Sequence, residues 1–199
     1  GGFHGLNFFK RLTNKNTDDH KTDSDALFSL LSAQTTLETN LDLKCTGKAT
    51  MGLKSVSGRF FTETITEIRH FLDVSKVDSN LSYKMINDSY GYLWIVYESP
   101  KIEDIILCIS GVGQILHDRS FAKQLLATLI QFQSKRNKNA NCHQYLVYNY
   151  TLNRFYPFVP INKNERDNKI EREIMETIAD EIPIEKDISL WYPIWNLAL

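Results

Sequence analysis

The spacing of apolar residues changes several times along the chain, and each change marks an element. After Ser24, a residue suited to an N-cap, with Asp25 in the first turn, Leu27, Leu30, Leu31 and Leu37 recur at helical spacing. From Leu41 the period falls to two. Leu41, Leu43, Cys45, Ala49, Met51 and Leu53 alternate with polar neighbours such as Asp42, Lys44 and Lys48, which predicts one half-buried strand or two strands turning near Gly47. Phe61, Ile65, Ile68 and Leu72 then restore a helical stripe, flanked by Phe71, with Glu63 and Glu67 on the wet face.

Leu81, Tyr83 and Met85 alternate, and Asn87-Asp88-Ser89 reads as a turn. Tyr92 to Tyr97 and Leu125 to Phe132 carry large residues on both faces, which predicts strands covered twice, with Leu93, Ile95, Leu126, Thr128 and Ile130 in central positions. Between them, Ser99-Pro100 is expected to open a helix whose buried stripe is Ile102, Ile105, Ile106, Ile109 and Leu116. Ser134 to Asn141 reads as a polar, basic hairpin loop, and Tyr145 to Tyr148 as the next strand. Phe155 to Phe158 is predicted at a sheet edge, because Pro157 cannot donate a ladder hydrogen bond. A last helix is expected after Asn164, its cap. Ile170, Ile174, Ile178 and Ile182 form its stripe, Glu171, Glu173 and Glu176 stand off it, and Pro183 stops it.

Strands joined by short turns, with helices set between groups of them, predict an α+β fold: a mainly antiparallel sheet with helices packed on one face. Residues 1–23 read as a flexible segment, amphipathic over 5–12, and residues 24–199 as one α+β domain with an aromatic C-terminal tail. In the opening segment Phe8 and Phe9 stand beside Lys10 and Arg11, a pattern that suits a membrane surface or packing on the domain itself.

Composition narrows the chemistry. The chain has 199 residues and a net charge of -1, so no basic excess draws it onto nucleic acid. The Lys135-Arg136-Lys138 loop is a local cluster of the kind that is ordinarily solvated. Cys45, Cys108 and Cys142 form no CxxC pair and read as reduced thiols of a cytoplasmic protein. No apolar run approaches the roughly 20 residues needed to span a bilayer. Gly111-Val112-Gly113 has Leu116 where a dinucleotide fingerprint needs its third glycine, so no cofactor is expected. No metal-ligand spacing occurs. A cryptic site built on Cys142, a histidine, or the carboxylates Asp88, Glu98, Glu103 and Asp104 stays open as the enzymatic alternative.

Tyr90, Tyr92, Trp94, Phe155, Tyr156, Phe158, Trp191, Tyr192 and Trp195 come from three separate stretches. They suit sheet packing, or an exposed aromatic groove for a partner helix. Arg166-Asp167, just past the edge strand, reads as an ion pair or as an anchor tying the last helix to the sheet.

Several of these stretches also resemble, in order, one family. Ser24 to Leu41, Ser89-Tyr90-Gly91-Tyr92-Leu93-Trp94, Arg154 to Pro160, Glu165-Arg166-Asp167-Asn168 and Leu190 to Trp195 are similar to the PspA-associated protein PspAB, and Gly5-Leu6-Asn7-Phe8-Phe9 resembles its short opening. The asparagine- and lysine-rich loops depart from that pattern at the surface. The resemblance implies association with phage-shock protein A, a coiled-coil membrane-stress protein of archaea and bacteria. It carries no catalytic residues, and together with the lack of a catalytic constellation it leads to the expectation of a cytoplasmic, non-enzymatic adaptor, able to sit peripherally at the inner face of the membrane. By topology alone, the order of strands and helices also resembles the type III secretion chaperone fold.

Overall fold

The computed structural model describes residues 20–134 and 143–195. Four α-helices lie among them: α1 (His20–Leu41), α2 (Arg59–Ser75), α3 (Ile102–Asp118) and α4 (Asn168–Ile178). Six strands, β1 (Leu43–Lys54), β2 (Ser82–Asn87), β3 (Tyr92–Glu98), β4 (Leu125–Ser134), β5 (His143–Asn149) and β6 (Arg154–Phe158), form one sheet in the order β2-β3-β1-β4-β5-β6. Every pairing is antiparallel. The fold is α+β, as the pattern predicts. β3 and β4 are each paired on both sides, which is why their sequences are apolar on both faces.

All four helices bury their stripes against one sheet face. Leu27, Leu30 and Leu37 of α1, Ile68 and Leu72 of α2, Ile105 and Ile109 of α3, and Ile174 and Ile178 of α4 share a core with Met51, Leu53, Ile95, Tyr97, Ile130, Leu146 and Phe155. The other face holds a second core, in which Leu126, Leu129, Tyr145, Val147, Tyr156 and Phe158 pack with Trp191 and Ile194 of the C-terminal tail.

β1 is one strand of 12 residues, not two. Its register against β4 shifts between Cys45 and Ala49, where Gly47 has φ 79°, and the Gly47 backbone lies too close to the Ser99 carbonyl for any side chain.

Three helix boundaries differ from the pattern. α1 begins by His20, inside the stretch read as linker, because tertiary bonds hold its first turn. Asp23 is buried and accepts from the Tyr148 hydroxyl at 2.7 Å and from Asn153 Nδ2 at 2.9 Å, while Ser24 bonds Ser110 across to α3 at 2.6 Å. α3 begins at Ile102, and the Ser99 hydroxyl accepts from the Lys101 N–H at 3.2 Å in a turn before the helix. α4 is capped by Asp167, not Asn164. Its carboxylate accepts from the N–H groups of Lys169 and Ile170, and the helix ends at Ile178.

Candidate functional site

The predicted aromatic residues divide by strand register. Phe155 points into the helical core, and Tyr92, Tyr156, Phe158 and Trp191 are buried on the opposite face. Those five side chains are buried. Trp94 and Trp195 are half-buried, and Tyr90 is 63% exposed. The hairpin between β2 and β3 positions Tyr90. Asp88 accepts from the N–H groups of Tyr90 (2.8 Å) and Tyr92 (2.9 Å) and from Trp94 Nε1 (3.0 Å), and Gly91 takes φ 84°. The Trp94 ring lies across Gly52, its register partner on β1, so the aromatic sits flat where a side chain would displace it.

Arg166 is the hub of the opposite end. The loop after β6 folds back through a 2.8 Å bond from the Asp167 N–H to the Val159 carbonyl, which sets Arg166 beside the strand it has just left. Its guanidinium donates to Glu171 Oε1 (2.7 Å), to the Trp191 carbonyl (2.6 Å) and to the Pro157 carbonyl (3.1 Å), and stacks 5.0 Å from the Phe158 ring centre. One side chain therefore joins β6, α4 and the tail. The tail is fixed further. The Tyr156 hydroxyl donates to the Tyr192 carbonyl at 3.0 Å, Trp191 Nε1 donates to the Glu185 carbonyl at 2.8 Å, and Trp195 meets Phe158 edge to face at 5.2 Å.

The ion pair is thus Arg166–Glu171, and Asp167 is a cap; the sequence pattern missed Glu171. It is fully buried and also accepts the Val159 N–H at 2.8 Å, while its other oxygen has no hydrogen-bond partner among the described residues. Burial pushes its carboxyl pKa up, against the lowering effect of Arg166 and of that N–H. The signal was present. Glu171, Ile174 and Ile178 follow a three-then-four spacing as regular as the all-isoleucine stripe.

The candidate enzymatic groups do not converge among the described residues. Burial raises the thiol pKa of both Cys45 and Cys108, which works against a thiolate nucleophile. Asp88 sits at the β2–β3 turn, whereas Glu98 lies at the far end of β3 and Glu103 and Asp104 on α3. No group of three or more His, Cys, Asp or Glu among the described residues could hold a metal ion. His20, Asp23, His117, Lys123 and Tyr150 do line one cavity, but at about 20 Å³ it has room for about one water. Phe8, Phe9, Lys10, Arg11, Cys142 and the Lys135-Arg136-Lys138 cluster lie outside the described residues.

A model of one protein family, PspAB (PspA associated protein B), matches residues 6–199. The chain belongs to that family. The match takes in the hairpin around Tyr90, the Arg166 hub and the aromatic tail alike. No curated protein and no solved structure matches the chain. Among the described residues no helix is long and apolar enough to cross a membrane. The family's name states association with PspA, and no reaction.

Proposed function

We propose that the chain is a non-catalytic cytoplasmic adaptor that binds a PspA-type coiled-coil protein in a membrane-stress response. The observation that carries the reading is the family match over residues 6–199. Tyr90, Trp94 and Trp195 are the aromatics placed to touch a partner helix, Tyr90 being the most exposed of them at 63%. Tyr92, Phe155, Tyr156, Phe158, Trp191, Arg166 and Asp167 act behind that surface, holding the sheet, the last helix and the tail in place. The reading needs no cofactor and no nucleic acid.

The test is co-purification of the tagged chain with the PspA-family protein of the same organism. The complex is expected from native lysate and from the two purified proteins, and Tyr90→Ala is expected to weaken it with an unchanged melting temperature. Failure of the purified pair to associate would sink the adaptor.

The opening segment supplies a second, weaker contact in the same reading. Each of Lys10 and Arg11 contributes about 1 kcal/mol at an anionic surface, and each of Phe8 and Phe9 up to about 1.5–3 on burial. Ordering costs about 1–2 kcal/mol per residue and offsets much of this. Salt-sensitive sedimentation with anionic vesicles is expected, and it should be lost in Phe8→Ala with Phe9→Ala. An unchanged pellet with that double variant rules the contact out.

A further inference from the structure

Apolar side chains also stand exposed on the helical layer, away from the aromatic face. Val74 is 54% exposed on the last turn of α2, Leu107 is 56% exposed on α3, and Val77, just past α2, is 79% exposed. They form one surface, because α2 and α3 meet in a defined register. The Phe71 ring occupies the space over Gly111, and the Ser75 hydroxyl, which donates to the Phe71 carbonyl at 2.8 Å, lies beside the Cys108 thiol. Val74 and Leu107 each precede one member of that second contact, so they flank the same seam. The seam opens into a groove of about 330 Å³, walled by Val77, Asp78, Ser79 and Asn80 on one side and by Pro100, Lys101 and Asp104 on the other. Asp104 lies about one turn before Leu107 on α3, so the groove and the apolar strip are continuous.

Charge selects what fits there. Asp73 is already engaged, accepting from the Tyr83 hydroxyl at 2.8 Å and from Lys76 at 3.2 Å. Asp78 and Asp104 line the groove against the one ammonium there, Lys101, and Glu103 stands exposed beside Asp104 in the first turn of α3. An anionic lipid surface would be repelled. An amphipathic helix with a short apolar stripe flanked by cations would be held on both counts.

We propose that the α2–α3 face docks an amphipathic helix of the partner protein, its apolar stripe resting on Val74, Val77 and Leu107 and its lysine or arginine flanks meeting Asp78, Glu103 and Asp104. This rests on the binding reading above and adds a second contact with the same partner, on the helical layer away from the aromatic face. The probe is the purified PspA-family protein of the same organism, titrated by calorimetry at two salt concentrations against wild type, Leu107→Asp, and Asp78→Lys with Glu103→Lys. Leu107→Asp is expected to weaken binding by about ten-fold or more. The double charge reversal is expected to weaken binding and to remove most of its salt dependence. All three replaced side chains are exposed, so circular dichroism and melting should be unchanged; if Leu107→Asp melts early, the charge variant decides. If wild type binds and both variants bind equally well, the groove is overturned while the adaptor reading stands. If wild type does not bind, both fall. If the variants alter only self-association, the face is an interface between copies of this chain, and the proposal is wrong.

Discussion

Arg166 shows how far one residue's role depends on neighbours that sequence distance conceals. Next to Asp167 it reads as half of a local pair, yet the fold gives Asp167 to the helix N-terminus and pairs Arg166 with a carboxylate five residues on. Removing one partner of a buried pair leaves the other uncompensated, so Arg166→Ala should cost about 3–5 kcal/mol in urea denaturation. A shift in midpoint worth less than about 1 kcal/mol would mean that the tail and α4 hold without the hub. Glu171 gives a pH signature. Its folded-state pKa lies above the unfolded value of about 4.3. Between the two the folded state holds the extra proton, so this contribution to stability is complete below the unfolded pKa and is lost as pH rises through the folded one. Glu171→Gln should remove that slope, so its stability relative to wild type should climb from pH 4 to pH 8; a constant difference refutes this. The capping role of Asp167 was within reach of the sequence, as a cap residue just before a periodic run. The burial of Glu171 was only half within reach, because its spacing from Ile174 and Ile178 is helical but a glutamate among isoleucines is usually on the wet side.

At the scale of elements, periodicity carried most of the fold, and the ends it misjudged came from local capping at α3 and α4 and from long-range contacts at α1. The two-faced apolar runs predicted β3 and β4 as central, and both are paired on each side. Leu129 is fully buried in β4 on the face away from the helices, so Leu129→Ala should cost about 2–5 kcal/mol by thermal or urea unfolding. A cost under 1 kcal/mol would show that this second core can collapse around the loss. By contrast, the start of α1 was illegible, since Asp23 is held by Tyr148 and Asn153, more than a hundred residues away. The paired glycines of α3 were half legible: they signal close packing, but only the fold says against what. Gly111 receives the Phe71 ring of α2, and Gly113 the imidazole of His20. A methyl group at Gly111 has to push Phe71 aside, so Gly111→Ala should destabilise by about 1–3 kcal/mol, despite the better helix propensity of alanine. An equal or higher melting temperature would mean that the α2–α3 seam has slack.

Across the whole molecule the two sheet edges are treated differently. The β6 edge is closed by the segment after α4. The Phe155 N–H donates to the Pro183 carbonyl at 2.8 Å, and the Glu185 N–H donates to the Phe155 carbonyl at 2.7 Å. Pro157 within β6 already marks that strand as an edge in the sequence, whereas the covering segment is invisible there, because Ile184 carries no pattern of its own. At the other end β2 pairs, among the described residues, with β3 alone. It is short, six residues, and carries Lys84 near its middle on an exposed position. A mid-strand lysine is a usual guard against edge-to-edge pairing, since a second strand added there must desolvate the ammonium or meet a like charge. Replacing it by a β-branched apolar residue removes the guard and raises strand propensity together. Lys84→Ile is therefore expected to fold with unchanged helix content but to self-associate, seen in sedimentation velocity as a dimer or larger species that grows with protein concentration. Charge lost from the surface in general would act weakly and at any position, so Lys101→Ile on the α3 side should stay as monodisperse as wild type. If Lys84→Ile also matches wild type, the β2 edge is protected by something other than its lysine.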